Sequence, residues 1–424
     1  MRTAVLGAGA LGLTIALRLA QRGDPVTVFE RESLPGGLAA GFRPDGDAWL
    51  EKFYHHVFRS DQDAIRLIGE LGLADRLEWR KPVTATLRDG RIHQLDSAGS
   101  LMRFSPLSLV DRIRMGTALA ALRLMPDARF LEGASAADWT RRWMGGSAYR
   151  VVWEPLLRGK FGEAADEIAM PWFWARIHDR SQELGYLRGG FQQLYDRLAD
   201  EIESRGGEAR FGAAVTSVHR EDGQFVVESA GGADRFGRLI STLAPRLTAR
   251  IVSDLPDGWR ERHDWGRAFG AHCVVLALDR PLTDVYWLNV NDPGYPFMAL
   301  VEHTNYMPAS DYGGRHIVYL GNYRPMDDEL MTASRQVVLD EFLPHLSRIN
   351  PAFDRSWVTD AWVFAAPYAQ PIVTTEYRDH IPPFATPIPD LWVANMFQVY
   401  PHDRGQNYSI ALAERLARRI LAKS

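Results

Sequence analysis

The residues best suited to chemistry stand at the start of the chain. Thr3-Ala-Val-Leu-Gly7-Ala-Gly9-Ala10-Leu11-Gly12 is an apolar strand running into a GxGxxG turn and a helix over 10–22, and the next apolar run, Val26-Thr-Val-Phe, ends on Glu30. In such a unit Gly7 permits the tight turn, Gly9 lets a pyrophosphate approach the backbone, and Gly12 lets helix and strand pack closely. The N–H groups at the helix start, around Ala10 and Leu11, face the phosphates, and Glu30 is placed to hydrogen-bond a ribose. A dinucleotide fits this combination. Directly behind Glu30 and Arg31 comes Pro35-Gly36-Gly37-Leu38. A second glycine pair lets the backbone press against a further stretch of cofactor, as an extended flavin dinucleotide needs. FAD is therefore the expected cofactor.

Further along, Leu50-Glu-Lys-Phe-Tyr54-His55-His56 sets two histidines beside a tyrosine and an acid. Such a group can donate, accept or orient a proton, or bind a phosphate as cations. A satisfied core histidine next to an exposed one is the alternative. Adjacent histidines with no third ligand at a standard spacing do not make a metal site, so no metal is expected. Trp153-Glu-Pro-Leu-Leu-Arg-Gly-Lys160 and Trp172-Phe-Trp-Ala-Arg176 mix aromatics with cations. Lys160 or Arg176 could bind a phosphate or carboxylate of a substrate, or their stems could cover a helical core.

On these motifs the chain resembles the flavin-containing amine oxidase superfamily, which includes protoporphyrinogen oxidases, phytoene desaturases and, more distantly, UDP-galactopyranose mutases. The resemblance continues through Tyr186-Leu-Arg-Gly189-Gly190-Phe-Gln-Gln-Leu, Gly212-Ala-Ala-Val215 and Leu239-Ile-Ser-Thr-Leu-Ala-Pro245. It ends in the closing segment from Leu391-Trp-Val-Ala-Asn395 to Arg404-Gly-Gln406-Asn407, and the blocks follow the family's order. The resemblance implies that Val215 and Asn395 lie on the cofactor and that the closing turn lies against the isoalloxazine. There the backbone N–H groups of Gln406 and Asn407, with the charge of Arg404, would stabilise negative charge near N1 of reduced flavin. Pairing of Arg404 with Asp403 is the competing arrangement. In the mutases a histidine packs against the flavin, and His56 is the matching residue. The implied activity is FAD-dependent dehydrogenation, desaturation or oxidation, with hydride passing from a hydrophobic, isoprenoid-like small molecule to non-covalently held flavin. The alternative is a UDP-galactopyranose mutase-like sugar isomerase that works on reduced flavin.

An interleaved chain has to position these groups. The expected fold is α/β: a Rossmann-like FAD-binding domain built from 1–60, 184–245 and 385–424, and a substrate domain. The latter combines a helical insert at 61–183 with a strand-rich, mixed-sheet part at 246–384. Apolar residues at three- and four-residue spacing predict helices over 63–71, 107–125 and 136–144, with Ser60 and Ser135 as N-caps. Strands are expected over 274–278, 285–290, 298–302 and 317–320. Val110, Ile113, Thr117, Ala121 and Leu124 share one face of the second helix. With few cations beside it, that face reads as packing on its own domain; peripheral membrane contact through 105–125 is the other reading.

Composition narrows the classes. A net charge of -4 of mixed origin gives no electrostatic footprint for nucleic acid. The single cysteine, Cys273, excludes an intramolecular disulfide, and its apolar neighbours point to a buried, inert thiol. No run of ~20 apolar residues is present, so no spanning helix is expected, and a cytoplasmic location follows as the reading. Thirteen Trp, fourteen Tyr and nineteen Phe suit a flavin with a bulky substrate, and equally an ordinary core.

Overall fold

The computed structural model describes residues 1–44, 48–263 and 266–422. Five parallel strands form one sheet, in the order Glu208–Arg210, Val26–Phe29, Thr3–Leu6, Arg238–Ser241, Leu391–Val393. Successive side chains of a strand point to opposite faces. Val5, Val28 and Ile240 accordingly join the core under the helices Ala10–Gln21, Gln192–Ser204 and Gln406–Leu421. Ala4, Leu6 and Leu239 join a second core with Val218, Phe225 and Phe236 of a three-stranded antiparallel sheet. Both faces are covered, which is why these short strands are almost continuously apolar.

A separate seven-stranded mixed sheet runs Val358–Pro371, Ala268–Leu278, His316–Arg324, Ala299–Glu302, Trp287–Val290, Thr84–Arg88, Arg91–Gln94. Every pairing is antiparallel except that of Trp287–Val290 with Thr84–Arg88. The four strands expected here are present, two of them longer than the apolar runs that announced them. Cys273 lies buried in Ala268–Leu278, with its thiol pushed up by burial. The segment 61–183 is less purely helical than its spacing suggests. It supplies Thr84–Arg88 and Arg91–Gln94 to this sheet, and Leu77–Arg80 pairs with Leu184–Leu187.

Two local expectations are corrected. Ser135 does cap its helix, accepting from the Asp138 N–H at 3.1 Å. Ser60 does not cap Gln62–Glu70; its hydroxyl donates to the Asp179 carbonyl. The free N–H groups of Asp63 and Ala64 are met by Asn407 Oδ1, at 3.0 Å each, from the far end of the chain. The helix Leu109–Leu124 packs through Met115, Ala118 and Leu122 against Met170–His178. Val110, Ile113 and Leu124, expected to pack inward, are 74%, 53% and 83% exposed. The helix carries two apolar stripes, and periodicity does not say which one faces the core. Among the described residues no helix is long and apolar enough to cross a membrane.

One buried acid joins the N-terminal stretch to the next glycine pair. Gly189 and Gly190 have φ of 89° and 92°, and a Cβ at Gly190 would lie 2.7 Å from the Trp49 carbonyl oxygen. Only glycine serves there. Beside this contact Glu51 accepts from the Phe191 N–H at 2.7 Å and the Tyr186 hydroxyl at 2.9 Å. Burial pushes the Glu51 carboxyl up from 4.5 to about 7. Between those values the unfolded chain is ionised while the folded chain holds the proton, so stability falls as pH rises through that window. Glu51→Gln, an uncharged mimic of the protonated acid, should remove roughly 2–3 kcal/mol of that decline between pH 5 and 8. Denaturant unfolding of both proteins across the window measures it; parallel pH profiles would refute it.

Candidate active site

The two glycine stretches meet backbone to backbone. Gly7 adopts φ 103° and donates to the Phe29 carbonyl at 2.8 Å. A Cβ at Gly12 would lie 2.0 Å from the Gly7 carbonyl oxygen, so helix and turn touch as closely as the chain permits. Gly36 (φ 119°) donates to the Ala8 carbonyl at 2.8 Å, and a Cβ at Gly37 would lie 3.3 Å from Gly9 Cα. A Cβ at Gly9 would meet nothing within 4 Å. The result is a floor of bare backbone with open space above Gly9. Glu30 accepts from the Ala8 N–H at 2.8 Å and the Glu32 N–H at 3.1 Å, which fixes its carboxylate against the turn and leaves lone pairs free. Ala10 and Leu11 open the helix behind this turn, and Leu38 lies half-buried in the short helix Gly37–Ala39. Ala213 donates to the Glu30 carbonyl at 2.7 Å, which brings the start of the strand Val215–Glu221 to the same end. Arg31 is exposed and pairs with Glu32.

The C-terminal helix begins at Gln406. Its first intrahelical bond runs from Ser409 to the Gly405 carbonyl, so the N–H groups of Gln406, Asn407 and Tyr408 precede the ladder. The Gln406 side chain accepts from Tyr195 while its Nε2 is buried without a partner. Asn407 spends its side-chain oxygen on the helix Gln62–Glu70, and Asn395 Oδ1 accepts from the Phe397 N–H at 3.1 Å to shape its own turn. Arg404 donates to the Tyr323 hydroxyl, and its Nε is buried without a partner. Burial works against its charge, but Tyr323 and Asp403 outweigh it and hold the guanidinium firmly protonated.

Asp403 does not take the Arg404 side chain. It receives Lys160 Nζ at 2.8 Å, Arg176 at 2.7 Å, Trp172 Nε1 at 3.2 Å and the Arg404 backbone N–H at 3.1 Å. Burial alone would raise this carboxyl; the surrounding cations hold it well below the usual carboxylate range. Lys160 and Arg176 are thus brought to the closing turn, but as partners of an internal acid.

Tyr54, His55 and His56 follow the glycine floor in the chain. The Tyr54 ring lies 4.7 Å from Trp287 and 6.3 Å from His56, and His56 lies 5.0 Å from Phe58. Burial, with Arg404, pushes His55 down to about 4; burial, with Arg180, pushes His56 down to about 3. Both are therefore held neutral near pH 7. Each has a buried Nδ1 without a partner. One arrangement had no signal in the sequence. His402 Nδ1 lies 2.6 Å from Asp179, which also takes the Tyr408 hydroxyl at 2.8 Å and His178 at 2.9 Å. Asp179 and His402 are separated by 223 positions, and no spacing rule connects them.

These features fit FAD. The open backbone floor suits a pyrophosphate, Glu30 a ribose, and the helix start with Arg404 an electron-rich ring edge. When bound, the flavin supplies a two-electron acceptor; the chain supplies position and field. Gly9→Ala should therefore leave the apoprotein as stable as the wild type while weakening flavin retention at least tenfold, about 1.4 kcal/mol. Gly12→Ala should instead destabilise the fold itself by roughly 2 kcal/mol. Flavin absorbance after gel filtration, with thermal unfolding of the apoproteins, separates the two.

Comparison with known proteins agrees. The family model described as flavin containing amine oxidoreductase matches residues 12–402. The 15-cis-phytoene desaturase of Synechococcus elongatus is 22% identical, over 100% of this chain and 96% of that protein. An oxidoreductase from Methanosarcina mazei superposes with a TM-score of 0.78 at 19% identity, covering 99% of this chain and 100% of its own. A reduced UDP-galactopyranose mutase superposes with a TM-score of 0.78 at 14% identity, covering 100% and 96%. At these identities the superpositions establish the fold alone. The family match spans nearly the whole chain, and this protein belongs to the flavin-containing amine oxidoreductase family as an FAD-dependent enzyme.

Proposed function

We propose that the protein removes hydride, or two hydrogens, from a C–C or C–N position of a hydrophobic, isoprenoid-type substrate and passes them to non-covalently bound FAD. The observation that carries this reading is the aromatic wall of Tyr54, His56, Phe58 and Trp287, the first three of which follow the glycine floor in the chain. Aromatic faces bury large apolar area and position a flat or extended substrate. Full-length similarity to a phytoene desaturase adds support for an apolar substrate. In this reading Gly7, Gly9, Gly12, Glu30, Gly36 and Gly37 hold the dinucleotide. The helix start at Gln406 and Asn407 faces the ring, and neutral His56 packs beside it. The FAD-binding domain comprises 1–60, 184–245 and 385–424, and the substrate domain 61–183 and 246–384. The strands of the five-stranded sheet fall in the first set and those of the seven-stranded sheet in the second, which supports the division.

A second reading, a sugar isomerase that needs reduced flavin, is favoured by one observation. Lys160, Arg176, Arg180 and Arg404 gather around the single carboxylate Asp403, an excess of positive charge suited to a diphosphate. We also assign the exposed face of Leu109–Leu124 to peripheral contact with a membrane. Val110, Ile113 and Leu124 stand free there, with Arg114 and Arg123 exposed on the same helix.

An anaerobic absorbance titration tests the main reading: an isoprenoid, amine or porphyrinogen substrate should bleach the bound flavin. Turnover of a nucleotide sugar only after dithionite reduction, with no bleaching, would move the assignment to the isomerase. Val110→Asp with Ile113→Asp should lower sedimentation with anionic vesicles about tenfold while turnover of a soluble substrate is unchanged.

A further inference from the structure

Arg180 is the one cation of this cluster that has neither an ion pair nor a hydrogen bond among the described residues, although the charge of Asp403 reaches it. It follows the helix Met170–His178, and its contact is with the Phe58 ring, 5.8 Å from the guanidinium carbon. Two acids of the cluster are occupied. Asp403 is taken by Lys160 and Arg176, and Asp179, its own neighbour in sequence, by His402, His178 and Tyr408. Burial, with repulsion from Arg176 and against the attraction of Asp403, pushes Arg180 down to about 9, still protonated near pH 7. The side chain is crowded by protein atoms and yet exposed, so it is not sealed in closed core. An uncompensated guanidinium set among protein atoms is costly unless something repays it. The cofactor does not account for it: the phosphates have the glycine floor, and the flavin edge has Arg404 and the helix start.

We propose that Arg180 is the anion-binding residue of the substrate cavity, and that the substrate joins an apolar or planar body to a carboxylate or phosphate. The body lies along Phe58, His56, Tyr54 and Trp287, and the planar guanidinium, with its fixed fork of donors, takes the acidic head. This rests on the flavoenzyme reading and narrows it. A plain hydrocarbon leaves Arg180 uncompensated, whereas an amphiphile with an acidic terminus satisfies both the wall and the cation. It also replaces Lys160 and Arg176 as the substrate-binding cations, because Asp403 already holds them.

The test uses the flavin-loaded protein and three probes with a common body: benzoate, phenyl phosphate and uncharged benzyl alcohol. Perturbation of the bound flavin spectrum and of tryptophan fluorescence reports binding. The wild type should bind at least one anion tenfold or more tightly than benzyl alcohol, and the preferred anion identifies the head group. Arg180→Met should lose at least tenfold in affinity for that anion while its affinity for benzyl alcohol and its flavin content stay unchanged. Arg180→Lys should recover part of the loss, which a purely structural role would not produce. A flavin-replete wild type that binds neither anion more tightly than benzyl alcohol overturns the proposal, as does an Arg180→Met protein that binds the anions normally. A wild type that holds no flavin overturns the reading beneath it as well.

Discussion

Asp403 is the charge around which the two halves of the chain are organised. It stands in the turn before the C-terminal helix and receives Lys160 and Arg176 from the insert, Trp172 from the same helix as Arg176, and its own neighbour's N–H. Lys160 is nearly fully buried, so its ammonium has little water to fall back on and depends on Asp403. Breaking such a pair from one side leaves an uncompensated buried charge and costs ~3–5 kcal/mol, whereas the intact cluster is close to neutral in net energy. The turn before the C-terminal helix is thereby fixed by groups more than two hundred residues away. The same pairing decides which cations stay available: Arg404, held on Tyr323, and Arg180, which has no ion pair or hydrogen bond among the described residues.

The cradle works by close approach rather than by attraction. Gly12 lies against the Gly7 carbonyl, Gly37 against Gly9, and Gly190 against Trp49. Each contact removes side-chain volume where chain segments must meet closely, and in the two glycine turns Gly9 is the one that faces open space. Gly7, Gly12, Gly36 and Gly37 build the floor, and Gly9 leaves room on it. Glu30 is held by the Ala8 N–H before any ligand arrives, so its orientation costs little on binding.

Neutrality of the paired histidines follows from the same economy of charge. With Arg180 and Arg404 close by and little water, an imidazolium at position 55 or 56 would add a third like charge to a desolvated wall. They stand as neutral rings, each with a buried Nδ1 that has no partner. The exposed apolar stripe of Leu109–Leu124 is the opposite case: it faces solvent because Met115, Ala118 and Leu122 already satisfy the core on the other side.

The amino-acid sequence by itself determined the glycine turns, Glu30, the family and the α/β class, because these depend on local backbone freedom and on residues within one βαβ unit. It also marked the helix starts, including the Ser135 cap, and four strands of the mixed sheet. It did not determine that Asn407 rather than Ser60 would cap Gln62–Glu70, nor that Asp179 would orient His402. Nor did it show which stripe of Leu109–Leu124 would be buried, or that Asp403 would claim Lys160 and Arg176 and leave Arg180 free. Each of these rests on contacts across long stretches of sequence. Hydrophobic periodicity and charge type are local quantities, whereas burial and counter-ion choice are settled only when distant segments compete for the same space.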